Sequence, residues 1–385
     1  MSDWRHVPAG KIARQRRESV RLEPGTRYRT MGVRWYGKGA YDRGVVTTET
    51  VKAKSLYRAR EGDLTFNRID TQNGAFDVVS AELDGALATN EFPFYEVNKE
   101  EAEARFLLLN FQRSEVLRQI GAIRAGSEGR ARWKEADFEA WMVPVPPLPV
   151  QRRIIEVIRA VDDQITALDA EADALARMHH ATRERMLEDV QLKPLSDVCD
   201  LTARLVDPRL EEHADLIHVG VETITKGTGE IVGAVTARED EIISGKYLFG
   251  EGDVIYSKIR PALRKVAVPG FSGLCSADAY PLTPKDGIPA TLLREALLQE
   301  RVVELAVSMA GRTKMPKVNR KQLFSIQVAI PRPESRAFVD ATLSAPREQR
   351  KAVLVEVACL RRVRTGLLSG LLDRTIGIES AELKV

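Results

Sequence analysis

GDLTFNRI at residues 62–69 returns as GDVIYSKI at residues 252–259. Gly, Asp and Ile are shared, and the substitutions are like for like: Leu64 for Val254, Phe66 for Tyr256, Arg68 for Lys258. Ordered companions flank this match. GVRWYGKG at 32–39 parallels GVETITKGTG at 220–229, and GALATNEFPFYEV from Gly85 parallels GLCSADAYPLTP from Gly273. Gly126 matches Gly311, and DFEAWMVPVPPLP at 137–149 parallels QLFSIQVAIPRPE at 322–334. The offset drifts only between 190 and 185. A chance octet would not bring companions in the same order. Residues 1–190 and 191–385 are therefore read as tandem copies of one unit, a duplicated domain pair rather than a solenoid.

Each copy has a mixed part followed by a helical part. VVTTETVKAK, DLTFNRI, FPFYEV and WMVPVP read as short strands, as do DLIHVGVETI, DVIYSKI, KVAVP and FSIQVAIP. All are rich in β-branched or aromatic residues and bounded by Gly, Asp or Pro. Residues 100–122 and 290–310 have helical periodicity, and each is expected as one helix. The expected fold class is α+β, with a strand order that the spacing does not give. After the Pro-rich stop PVPPLP, apolar residues Ile154, Ile158, Val161, Ile165, Leu168, Ala172 and Leu175 alternate steps of four and three. That is a coiled-coil seam, over a helix of roughly 57 Å. Val353, Val357, Leu360, Leu367 and Leu371 continue the same register in the second copy. Pro346 predicts that the second helix begins or kinks there. Arg364 takes the seam position that His179 holds in the first helix, where a polar residue either sets register or marks a solvated end. The expected domains are two mixed modules, 1–148 and 191–332, with spacer helices at 149–190 and 333–385. If the helices pair antiparallel, a pseudo-two-fold axis relates the modules. Such an object suits a ligand with two separated, inverted half-sites, and DNA is of that kind.

Charged residues make up 29% of the chain while the net charge is only +3, so distribution matters more than total. From Leu305 to Pro333 there is no Asp or Glu, while Arg312, Lys314, Lys317 and Arg320 occur. Residues 256–270 also lack acids and carry Lys258, Arg260, Arg264 and Lys265. The first copy has a looser counterpart in Arg124, Arg130, Arg132 and Lys134 around Glu128, with Arg68 at the position of Lys258, and KAKSLYRAR at 52–60 adds four cations around Leu56 and Tyr57. Singly, each cation is better explained as part of a solvated face. As blocks they predict phosphate and base contacts, with strong salt dependence.

Signs of catalysis are missing. Gly37/Gly39 and Gly227/Gly229 lack the spacing and following helix of a dinucleotide loop and read as turns. His6, His179, His180, His213 and His218 form no metal spacing, and no nucleophile elbow or Walker loop occurs. Cys199, Cys275 and Cys359 lie far apart in sequence, which fits a reducing compartment. The opening MSDWRHVPAGKIARQRRESV has no apolar signal core, so a soluble cytoplasmic protein is expected. A DNA-modifying or cleaving enzyme with an unrecognised site, and a coiled-coil scaffold that touches only proteins, are the competing readings.

GVRWYGKGAY, GDLTFNRIDTQNGAF, LDGALATNEFPFYEV and PVPPLPVQRRI in the first copy, with GDVIYSKIRPALRK and the closing LLSGLLD in the second, resemble the specificity subunit of Type I restriction–modification systems. The resemblance covers nearly the whole chain. It implies two target-recognition domains, each reading half of a bipartite DNA site, and two spacer helices packed as an antiparallel coiled coil. It also implies assembly with two adenine-N6 methyltransferase subunits and with ATP-dependent restriction subunits. S-adenosylmethionine, ATP and Mg²⁺ would belong to those partners, leaving this chain no cofactor of its own. The family's Glu-Gln after the Pro-rich stop is here Val150-Gln151, and PRPESR in the second copy has lost both residues.

Overall fold

The computed structural model describes residues 4–123, 132–201, 204–311 and 314–378. The first copy opens with β1 (Arg5–Pro8), α1 (Ala9–Ile12), β2 (Ala13–Arg16) and β3 (Ser19–Arg21). It continues with β4 (Tyr28–Arg34), β5 (Gly39–Val46), β6 (Ser55–Arg58) and β7 (Leu64–Phe66). β8 (Phe76–Val78), β9 (Leu87–Ala88) and β10 (Phe94–Val97) follow. Then come α2 (Ala104–Phe111), α3 (Ser114–Ile123), α4 (Glu135–Ala140), β11 (Met142–Val145) and the long α5 (Leu148–Met186).

The second copy repeats this order with β12 (Leu192–Pro194), α6 (Leu195–Val198), β13 (Cys199–Leu201) and β14 (Leu205–Val206). α7 (Glu211–Ala214) has no counterpart. Next are β15 (Ile217–Val219), β16 (Val235–Thr236), β17 (Lys246–Phe249), β18 (Val254–Ser257) and β19 (Val266–Ala267). β20 (Gly273–Cys275), β21 (Ala279–Pro284), α8 (Ala290–Leu297) and α9 (Glu300–Met309) lead to α10 (Arg320–Ser325), β22 (Gln327–Ala329) and α11 (Pro333–Leu372).

Adding eleven to each strand number turns every sheet of the first copy into one of the second. The ribbon β1-β11 becomes β12-β22, and the four-stranded β2-β10-β7-β8 becomes β13-β21-β18-β19. The five-stranded β3-β6-β9-β4-β5 becomes β14-β17-β20-β15-β16. Even the parallel pair β4–β9 recurs as β15–β20. The duplication therefore extends to tertiary topology, although the cores are packed differently. Phe66, Phe76, Tyr95, Phe111, Trp133 and Phe138 form an aromatic core in the first copy, with Tyr95 and Phe138 centroids 4.3 Å apart. Their topological counterparts are Tyr256, Val266, Leu282, Leu297, Val318 and Leu323, in a core that is mostly aliphatic. Which positions are buried was inherited; the shapes that fill them were repacked.

The chain divides into two compact units, one of Met1–Ala167 with Glu356–Val385 and one of Leu168–Val355. Each long helix is thus shared. In the first unit, Ile154 and Ile158 of α5 cluster with Leu368, Leu371 and Leu372 of α11 and with Phe106 and Leu109 of α2. The Arg364 guanidinium, at the seam position matching His179, is paired with Asp162, so the two helix segments run antiparallel. In the second unit, Arg350 Nε donates to the Ala172 carbonyl at 3.2 Å, and Leu187, just after α5, clusters with Val339 and Leu343. That pair is antiparallel as well. Of the seam positions, Ile154, Ile158, Ile165, Leu168, Leu175, Val353, Val357 and Leu371 are buried, while Val161, Leu360 and Leu367 are half-buried.

Several expectations are corrected. α11 begins at Pro333 and runs through Pro346 rather than beginning there. Proline suits the first turn of a helix, where its missing N–H would be unpaired anyway. At position 346 it deprives the Thr342 carbonyl of its amide partner, a cost of about 3 kcal/mol that the buried seam must offset. The segments 100–122 and 290–310 are not single helices. Each breaks into α2 and α3, or α8 and α9, around Gln112–Arg113 and Leu298–Gln299. Gln299 adopts an extended conformation (ψ 138°), and its Nε2 donates to the Leu187 carbonyl at 3.2 Å. VVTTETVKAK is strand only as far as Val46 and then turns.

The altered start of the second spacer helix has a structural answer. Buried Gln151 donates to the Pro146 carbonyl at 2.8 Å and to the Glu101 carbonyl at 3.0 Å, fastening α5 to its own module. In the second copy buried Arg336 does the same for the matching Pro331 and Asp286 carbonyls. The motif is lost and two of its hydrogen bonds are kept, while the one Gln151 accepts from the Glu103 N–H has no counterpart at Arg336.

Candidate nucleic-acid interface

In the second unit β18 runs out of the four-stranded sheet into Lys258, Ile259 and Arg260. The chain then turns through a 3-10 helix (Pro261–Leu263) back into β19. A second segment closes against this turn: Ile259 bridges Lys317, Arg260 N–H donates to the Pro316 carbonyl at 2.8 Å, and Val318 N–H donates to the Lys258 carbonyl at 2.9 Å. Lys258, Arg260, Lys314 and Lys317, drawn from two distant stretches, are thereby gathered at one edge. Asp278 lies among them, 3.0 Å from Lys317 Nζ and 3.8 Å from Lys258 Nζ. Lys258 also lies over the Tyr280 ring, 5.4 Å from its centroid.

The remaining cations of the second copy are not grouped this way. Arg264 is bound to both oxygens of Glu300, at 2.6 and 2.8 Å, and holds that carboxyl below its ordinary value. Lys265 donates to the Val221 carbonyl, and Arg320 lies over Phe324. Arg312 lies outside the described residues. In the first unit the same construction appears, with Ile69 bridging Arg132 and Trp133 N–H donating to the Arg68 carbonyl at 3.0 Å. Arg68 is largely buried between Glu135, 3.3 Å away, and the Asn90 carbonyl, while Arg132 pairs with Glu91 at 2.8 Å. Lys134 is exposed at the start of α4, and Arg124 and Arg130 lie outside the described residues.

Sequence reasoning missed a recess of about 150 Å³ in the first unit, lined by Arg16, Arg17, Tyr57, Arg68 and Asn90 with Glu135. Its cations come from β2, the turn after it and the turn after β7, so only strand pairing brings them together. The Gly pairs read as turns do adopt the left-handed region, with φ 66° and 72° at Gly37 and Gly39 and 71° and 69° at Gly227 and Gly229. Among the described residues no group of three or more His, Cys, Asp or Glu side chains could hold a metal, and no helix is long and apolar enough to cross a membrane.

No protein-family model matches the chain. A stretch of 134 residues is 37% identical to the Type I restriction enzyme EcoDI specificity subunit of Escherichia coli, spanning 35% of this chain and 29% of that protein. Over the whole fold, the Type I restriction–modification system S subunit from M. genitalium superposes with a TM-score of 0.58. The two share 11% identity, and the match covers 96% of both chains. It has the fold of a Type I restriction–modification S subunit. A chain from the structure of a type I R-M system, solved to explain its complex assembly and conformational transition, agrees at TM-score 0.60 and 18% identity, covering 97% of this chain and 98% of that one. Within this S-subunit fold, the basic edge at Lys258–Lys317 and its counterpart at Arg68–Arg132 occupy the same place in each copy. They share a backbone frame but not their side-chain chemistry.

Proposed function

We propose that this chain is the non-catalytic DNA specificity subunit of a Type I restriction–modification complex. Recognition domains 1–148 and 191–332 each read one half of a bipartite site, and the spacer helices at 149–190 and 333–385 set the number of unread base pairs between them. Two adenine-N6 methyltransferase subunits and the restriction/translocase subunits dock on this frame and hold S-adenosylmethionine, ATP and Mg²⁺. The complex works in the cytoplasm. The observation that carries this reading is the strand-for-strand duplication in which each compact unit borrows the end of a long helix from the other copy. A frame that repeats one bridged turn in both copies matches a ligand with two separated half-sites.

The test is the methylated-adenine motif of cells that make the complex. A split motif with a fixed gap is expected. Removing one heptad from 161–175 together with its match in 346–360 should shorten the gap and leave both half-sites intact. Altered half-sites with an unchanged gap, or a methylated motif that is not split, would refute the reading.

A further inference from the structure

We infer that Arg260 is a base-reading side chain, and that the base it reads is a guanine in the half-site taken by the second unit; this rests on the DNA-binding reading above. The backbone of Arg260 is left-handed, with φ 48° and ψ 60°, a region that a residue bearing a Cβ rarely adopts. It also precedes Pro261, whose ring disfavours helical conformations and pushes its predecessor toward extended backbone. The chain holds it there from three directions. Its N–H donates to the Pro316 carbonyl, its carbonyl accepts the Leu263 N–H at 2.8 Å, and its neighbour Ile259 bridges Lys317. Glycine would take this conformation without strain. The matching turn of the first copy carries Asp70 at φ 54°, so the strained turn was inherited while its side chain changed.

The guanidinium itself is unspent. It is exposed and makes no hydrogen bond or ion pair with any described residue. Lys258, Arg264, Lys265 and Lys317, by contrast, are each tied to a protein oxygen. A pinned backbone with a free planar fork is pre-organised for a rigid two-acceptor partner. The major-groove edge of guanine, with O6 and N7, is that partner in duplex DNA. Exposed Lys314 and the Lys258–Lys317 group beside it supply charge for the flanking phosphates, which position without discriminating sequence. Strain of this kind persists where function requires a particular side chain at a particular place.

The test selects from a pool of duplexes of random sequence, using the chain assembled with its methyltransferase subunits. Wild type is compared with R260K and R260G. Wild type should fix guanine at one position of one half-site. Both variants should lose roughly 5- to 150-fold of that preference while keeping the gap and the other half-site. R260G should melt no lower than wild type, because glycine relieves the turn. An enriched split motif that R260G leaves unchanged, or a uniform weakening across all sequences as a phosphate contact would give, overturns the inference alone. Failure of wild type to enrich any split motif overturns the proposed function as well.

Discussion

Glu295→Gln takes a carboxylate out of a buried cationic cluster in the second unit. Glu295 and Arg294 are each about 3% exposed, and Arg183 is 7% exposed. Burial alone would raise the Glu295 carboxyl. His179 at 3.2 Å, the directly paired Arg294, and Arg183 at 3.6 Å outweigh it and bring the group down to about 2. Against an ordinary value of 4.5 this is worth about 3 kcal/mol. The figure agrees with the roughly 3–5 kcal/mol lost when one member of a buried pair is removed. The sign follows from the direction of the shift. Because the folded-state value is depressed, the stabilisation is fully present above about pH 4.5 and disappears as pH falls toward about 2.

Amide hydrogen exchange across 290–297 in the full chain reads this locally, which matters because two units need not unfold together. At neutral pH the variant should lose about 3 kcal/mol of protection there and little in 104–111, where the matching positions are Leu108 and Leu109. The gap between wild type and variant should narrow as pH falls from about 5 to about 3. A neutral-pH loss below about 1 kcal/mol, or a gap that stays constant with pH, would show that the cluster does not hold the carboxylate as described.

Two further outcomes can be checked on the isolated chain. A Cβ at Gly229 would stand 1.9 Å from the Val266 carbonyl oxygen, whereas one at Gly227 would meet nothing within 4 Å. Both glycines have positive φ, so Gly227→Ala should cost about 1 kcal/mol and Gly229→Ala clearly more. Equal shifts in thermal unfolding would contradict this. Cys359 is exposed, while burial pushes the Cys199 and Cys275 thiols up to about 12. Mass spectrometry after brief maleimide treatment should find a single adduct at Cys359, and three only after denaturation. Rapid labelling of Cys199 in the folded chain would show that β13 opens.

Much of the architecture is local information. The duplication is legible because like residues sit at like spacings, and the heptad seam because its period is set by helix geometry alone. The strands at Leu64–Phe66, Phe94–Val97, Met142–Val145 and Val254–Ser257 stand where β-branched and aromatic runs put them. The breaks at Gln112–Arg113 and Leu298–Gln299 were not legible, because both segments keep helical periodicity across the break. Gln299 is held by the Leu187 carbonyl and Gln112 accepts from Arg364 at 2.9 Å, and both partners lie far away in sequence. Charge blocks located the basic edge but could not separate its members. Arg264 and Arg260 look alike in sequence, yet Glu300 occupies the first and nothing described occupies the second.

By itself, then, the amino-acid order determined that one unit is built twice and that each copy ends in a long amphipathic helix. These follow from periodicity and composition within windows of a few dozen residues. Only the tertiary structure decided which module each helix end packs against, that α11 carries Pro346 within it, and which cations remain free to meet a ligand. Those outcomes depend on pairings between residues distant in sequence, from Arg264 with Glu300 to Gln299 with Leu187 and Arg364 with Asp162. Their energies depend on burial and on the neighbours that folding supplies.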